Sequence, residues 1–212
     1  MISHEHKVIF VHIPKTGGQS IEQMFLSDLG LSWEDRAPLL LRANSDPEKG
    51  PSRMAHLYAD EYVRLGYVTQ EQFDTYFKFA VVRDPHARLV SEYLYRMQRY
   101  PRYKQPPSWW FARRQFADDY EDIARHMETQ SRYVMNENGK MLVDKIIRFE
   151  ELGQGMLELS EQIFGEPRPL PHRNKSGGAK RDALRKLMVQ WLTKGVSARR
   201  YRDDFKAFDY PV

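Results

Sequence analysis

The sequence contains no cysteine, which excludes disulfides, thiol catalysis and cysteine-based zinc sites. No apolar run approaches the roughly 18–20 residues that a membrane span requires. Residues 8–13 come nearest, but they are interrupted by His12 and stopped by Pro14, too short and too polar for a signal-peptide core. Glycine and proline stand at 12 each, so collagenous and low-complexity classes fall away. Strong net charge is missing too, since 33 Lys and Arg against 29 Asp and Glu leave only +4. There is enough apolar material for a core: Leu, Ile, Val and Phe make 49 of the 212 residues. The expectation is one soluble, cytoplasmic globular domain, and no linker divides it.

Three short β-branched and aromatic runs read as buried strands, at 7–13, 77–82 and 145–149. Each is followed by helical periodicity. Ser20 opens a helix with Ile21, Met24, Phe25 and Leu29 on one face and Gly30 as its stop. After Arg83-Asp84-Pro85, residues Val90, Tyr93, Leu94 and Met97 repeat as another face, and Leu152, Met156, Leu159 and Ile163 form a third before Gly165. Thr69 with Gln72 resembles a capping box. Residues 32–52 read as loop apart from a short helix around 39–41, and His4 and His6 sit in what reads as a frayed terminus. A last amphipathic helix carries Leu184, Leu187, Met188, Trp191 and Leu192. Strands alternating with helices predict an α/β fold, a parallel sheet flanked by helices.

The mild net charge is unevenly spread. Between positions 172 and 202 there are ten Lys or Arg against one acid, Asp182. A solvated helix face explains any one of them; together they make a field for an anion. Nucleic acid, an acidic polysaccharide and a nucleotide all qualify, and no recognisable DNA-binding motif accompanies the run.

The segment from Val8 to Ile21 carries more information. A strand leads to Pro14, Lys15, Thr16, Gly17, Gly18, Gln19 and Ser20, and then a helix begins. Two glycines at such a junction let backbone N–H groups converge on one hollow at the positive end of a helix. Lys15, Thr16 and Ser20 add a charge and two hydroxyls, which together suit a phosphate. The pattern is not a Walker A loop, because the lysine precedes both glycines instead of following the last. The bland alternative is an ordinary tight turn with Lys15 in solvent. A second motif, Arg83-Asp-Pro-His-Ala-Arg-Leu-Val-Ser-Glu-Tyr93, puts Arg83 at a strand end and Pro85 in the first turn of a helix that carries Arg88 and Ser91. A guanidinium and a hydroxyl there suit a second phosphate; the alternative is a helix cap with Arg83 paired to an acid.

Residues 14–20 and 83–93 together resemble the two cofactor motifs of sulfotransferases that use 3′-phosphoadenosine 5′-phosphosulfate (PAPS), most closely the carbohydrate and heparan-sulfate type. Weaker echoes are Thr129-Gln-Ser131, Arg148-Phe-Glu-Glu-Leu152, residues 172–176, and Tyr201 with Asp204-Phe205. The resemblance implies a P-loop-kinase-like single domain with the cofactor at the strand C-termini. It implies that Lys15, Thr16, Gly17, Gly18, Gln19 and Ser20 hold the 5′-phosphosulfate and that Arg83 and Ser91 hold the 3′-phosphate. The family usually shows Thr where this chain has Gln19, which removes one hydroxyl. It further implies that Asn174, Lys175 and Ser176 belong to a loop closing over the nucleotide, with 3′,5′-ADP as product and no metal required.

Lys15, beside the loop, suits the bridging oxygen where charge grows as the bond breaks. The acceptor hydroxyl needs a base, and His56 in Ala-His-Leu-Tyr matches the place of the family's catalytic histidine; Asp60, Glu61, His126 and His172 are its rivals. His12 reads as a packed strand residue. The stretch 100–117 reads as a loop or insertion that interleaves aromatic and basic side chains, either to stack on sugar rings or to pack against the domain. The expected reaction is sulfuryl transfer to a hydroxyl on a glycan or glycosylated small molecule. A nucleotide or small-molecule kinase on the same fold and a non-catalytic anion- or glycan-binding module are the alternatives.

Overall fold

Alternating side chains set the layers of the molecule. In the computed structural model, which describes residues 1–171 and 180–212, β2 (Val8–Val11) turns Val8 and Phe10 to one face and Ile9 and Val11 to the other. It pairs in parallel with β3 (Phe77–Val82), and β3 pairs in parallel with β4 (Lys145–Arg148). A fourth strand, β1 (Ile2–Ser3), adds an antiparallel edge, so the order is β1-β2-β3-β4. The expected α/β class holds, and the sheet is mostly parallel. The stretch expected to fray is instead tied down: His6 meets Asp28 at 2.7 Å, and His4 meets the Tyr76 hydroxyl at 3.0 Å.

Helices cover both faces. On one, α1 (Gly18–Asp28) and α8 (Leu152–Phe164) bury Ile21, Phe25, Met156 and Leu159 against Phe10, Phe79 and Ile147. On the other, α2 (Glu61–Arg64), α3 (Gln70–Thr75) and the later α7 (Gln130–Val134) contribute Tyr62, Phe73 and Tyr133 to a cluster with Ile9, Val11 and Val82. Each such side chain, when fully buried, contributes about 1.5–3 kcal/mol. Thr69 and Gln72 do form the capping box that opens α3. The short helix expected around 39–41 is a 3-10 turn at Ala37–Leu39.

A third cluster lies beyond the sheet. There α4 (Pro85–Met97) packs on α5 (Ser108–Arg113), α6 (Asp122–Met127) and α9 (Lys180–Arg200), and α10 (Arg202–Ala207), which packs on α9, adds Phe205 to the cluster. The 100–117 stretch therefore contains a helix, because Phe111 and Ala112 find apolar partners. The last long helix departs from expectation in orientation. Its apolar stripe faces solvent, with Trp191 79% exposed, while Val189, Thr193 and Ser197 face inward. Small and hydroxyl-bearing residues give a closer fit to α4, and the Thr193 hydroxyl meets His86 there at 3.3 Å.

Candidate active site

Parallel pairing of β2 and β3, with Val11 opposite Ala80, brings both strand C-termini to one edge. The loop after β2 and the start of α4 therefore meet. Arg83 donates from a terminal guanidinium nitrogen to the Lys15 carbonyl at 3.2 Å and stacks 4.2 Å over the Phe149 ring. Its Nε is buried and has no partner, an orphaned donor, and burial lowers its pKa. Gln130 fixes the strand end from both sides, accepting from the Arg83 N–H at 2.9 Å and donating to the Arg83 carbonyl at 2.8 Å. Asp204 in turn accepts the N–H groups of Gln130 and Ser131, each at 2.8 Å. Glu150 accepts the Asp84 N–H at 3.1 Å and the Tyr210 hydroxyl at 2.8 Å.

The loop itself is wound tightly. Lys15 stands at φ +70° and Gly17 at φ +86°, so two of its residues are left-handed, an uncommon state for a lysine. Helix α1 begins at Gly18, two residues earlier than its pattern suggests, because Gly17 serves as its N-cap. A Cβ on Gly17 would lie 2.9 Å from Leu152, and one on Gly18 would collide with the His12 ring. The hollow is thus closed from beneath by side chains and leaves its backbone face for a ligand. Thr16 is fully buried, and its hydroxyl donates to the Ile13 carbonyl at 2.8 Å, so its side chain braces the loop from within. Gln19 is exposed, and Ser20 and Ser91 are half-buried. Arg88 is fully buried and donates to the His126 and Glu128 carbonyls from its two terminal nitrogens, while its Nε, like that of Arg83, is buried without a partner. Asn174, Lys175, Ser176 and His172 lie outside the described residues.

Beside the loop is a buried cluster of charge. The Lys15 ammonium sits 3.9 Å over the Tyr95 ring. Burial lowers its pKa, Glu92 and Asp122 oppose that, and Arg83 and Arg96 reinforce it. His56 is buried on the same side, with Nδ1 donating to the His12 carbonyl at 3.3 Å and Nε2 3.9 Å from Asp122 Oδ1. Since a carbonyl can only accept, Nδ1 carries the hydrogen and Nε2 keeps its lone pair. Burial, then His12 and His126 whose rings lie 4.8 and 5.0 Å away, push the His56 pKa well below its ordinary value.

His126 behaves oppositely. Burial works against its charge, but Glu92 at 2.6 Å and Asp122 at 3.4 Å raise its pKa. Arg96 bridges the same two carboxylates at 2.6 and 3.0 Å, and Glu92 is held down to about 2 in spite of its burial. Asp122 is likewise held below the usual carboxylate range. His126 Nε2 and Asp122 Oδ1 are nevertheless buried without a well-formed hydrogen bond. His56, Asp122 and His126 offer ligand atoms within 4.8 Å of one another, a spacing a metal ion could use, although Arg96 and Arg53 (3.7 Å) already attend Asp122. His56 and His126 were each candidates for the base, but the grouping leaves no motif, because its members are scattered at 56, 92, 96, 122 and 126.

Of the rivals for the base, Glu61 is committed elsewhere, in a paired salt bridge with Arg125 at 2.7 and 2.9 Å, and Asp60 pairs with Arg132 at 2.7 Å. His12 is packed as expected, its Nδ1 held by Glu22 at 2.6 Å beneath Gly18. A separate cleft of about 460 Å³ is lined by Arg113, Glu128, Thr129, Arg199 and Arg200, and none of the residues named for donor or base contributes to it.

The whole of this frame is matched by a family model described as "Sulfotransferase family", over residues 1–211. Among curated proteins the chain is similar to carbohydrate sulfotransferase 10 of Danio rerio, at 24% identity over 255 aligned residues that take in 99% of this chain. The chain spans 66% of that relative, just under two thirds of its length. No solved structure matches.

Proposed function

The chain belongs to the sulfotransferase family, and from that premise we propose that it transfers a sulfuryl group from PAPS to a hydroxyl on a carbohydrate. The observation that carries the reading is Arg83, with its buried, unpartnered Nε beside the Lys15 loop. A buried guanidinium donor left without a partner calls for an anion, and two left-handed loop residues over a glycine cradle favour the same kind of ligand. The residues therefore fit a nucleotide bearing phosphates at both ends. The N–H groups of residues 16–20 and Lys15 would hold the 5′ side, and Arg83 with Ser91 the 3′-phosphate. Phe149 and Gln130 keep Arg83 in place.

When bound, PAPS supplies the sulfuryl group and leaves as 3′,5′-ADP. Lys15 neutralises the charge that grows on the leaving oxygen. Its partial desolvation makes that ammonium more effective than an exposed one. His56 accepts the acceptor's proton at Nε2. It is neutral at physiological pH because burial and its two histidine neighbours disfavour the cation. Once protonated, it faces the Asp122 carboxylate, which compensates the new charge. His126 Nε2 and Asp122 Oδ1 supply polar atoms with which an acceptor can be oriented. The carbohydrate acceptor rests on the similarity to a carbohydrate sulfotransferase.

Calorimetric titration tests the donor. 3′,5′-ADP should bind more tightly than 5′-AMP or ATP–Mg, and Arg83→Ala should weaken it about 10- to 100-fold. Best binding by ATP–Mg, or no nucleotide binding, would overturn the assignment.

A further inference from the structure

Ten large hydrophobic side chains are exposed among the described residues, and nine of them come from residues 100–110 and 184–192. The two segments are neighbours. Helix α5 packs along α9, and Arg185 donates to Gln105 at 2.5 Å. On α9 the exposed residues are Leu184, Leu187, Met188, Trp191 and Leu192, the spacing of a single helical stripe. Such a stripe normally faces a core. Here the core is on the other side of the helix, at Val189, Thr193 and Ser197, so the stripe has no partner within the described residues.

The charge around it is almost all of one sign, with Asp182 at the start of α9 the exception. Residues 99–117 and 183–202 hold eleven Lys or Arg and no acid, so the remainder of a chain of net charge +4 is net acidic. Arg113 and Arg114 lie over the rings of the exposed Trp109 and Trp110, at 5.3 and 5.5 Å. The occupant must therefore offer both an apolar medium and negative charge. A second copy would set cations against cations. An acidic glycan would answer the cations and stack on the rings, but it would leave the aliphatic stripe in water. An anionic lipid surface answers both. No described helix is long and apolar enough to cross a bilayer, so α9 would lie along the interface.

We propose that the outward face of α9, with the aromatic and basic stretch 100–114, docks the protein on anionic lipid bilayers, with its apolar stripe in the headgroup–acyl boundary and its Lys and Arg among the headgroups. The test is co-sedimentation of the full chain with phosphatidylcholine vesicles containing about one quarter phosphatidylglycerol, against phosphatidylcholine alone. Binding should need the anionic lipid, weaken with added salt and shift tryptophan emission to the blue. Leu187→Glu with Trp191→Glu should weaken it at least about tenfold, as should Lys186→Glu with Lys194→Glu, while the melting temperature stays unchanged because all four side chains are exposed. Failure to bind anionic vesicles, or binding that survives both variant pairs, would overturn the proposal. So would a concentration-dependent dimer dissociated by the Leu187/Trp191 pair, which would assign the face to a second copy. Retention on heparin without vesicle binding would assign it to a polyanionic glycan, with the same result.

Discussion

The proposed donor side and the proposed acid–base side of the site are built in opposite ways. That donor side is made of backbone: a loop with Lys15 and Gly17 left-handed, a helix start at Gly18 and a strand end at Arg83, all within two short segments. The acid–base side is made of side chains from residues 56, 92, 96, 122 and 126, held by charge. Backbone geometry demands particular residues in a particular order, and so it leaves a motif. A charge cluster demands only that its members converge.

The contrast yields four expectations, taken from the largest effect down. His56→Ala should lower kcat by about 10²- to 10⁴-fold with little change in 3′,5′-ADP affinity, read by steady-state kinetics beside calorimetry. Retained activity would move the base elsewhere in the cluster. Lys15→Ala should lower kcat by about 10²- to 10³-fold and donor affinity by less; equal losses would make Lys15 a binding residue only.

Gly18→Ala attacks the backbone side alone. The added methyl meets the buried His12 ring, so stability should drop by about 1–3 kcal/mol in denaturant titrations, with donor affinity falling too. An unchanged midpoint would mean that the loop is looser than its packing indicates.

The smallest effects come from pH. His56 has a lowered pKa in the folded protein, so the acid limb of kcat/KM should lie below about 6.5. The same shift makes the unfolded chain bind the extra proton first, so this contribution to stability is present above about 6.5 and is lost as pH falls. Glu92, held at about 2, contributes stability that is full above the ordinary glutamate value and is lost as pH falls towards 2. His126 has the opposite sign: its contribution is full below about 6.5 and is lost as pH rises through its raised value. Melting curves across pH, on wild type and on Glu92→Gln, separate the three. In Glu92→Gln the His126 contribution should shrink, and an unaltered profile would show that Glu92 does not hold that proton.

What could be read from the sequence divides along the same line. Val8, Phe10, Phe79 and Val81 announced buried strands because the runs around them are mostly apolar on both faces, and the glycine pair announced the turn. The Thr69–Gln72 box was legible because capping is local. The setting of Arg88 was not legible, since nothing nearby in sequence shows the carbonyls of residues 126 and 128 that accept from it. The α9 stripe had the right period, but periodicity does not tell which side of a helix the domain covers. The echoes at 129–131, 148–152 and 201–205 carried more than they showed singly, because each supplies a brace for Arg83 or for the residues that hold it.

One of those braces has consequences for motion. Asp204 holds the amides of Gln130 and Ser131, and Gln130 grips the amide of Arg83, so three amides distant in sequence share one latch. Release of α10 would free all three together. In hydrogen exchange they should form a single cooperative unit, opening with a common free energy. Donor binding at Arg83 should slow exchange at Ser131, well away from the ligand, and so report from a distance whether the latch is shut.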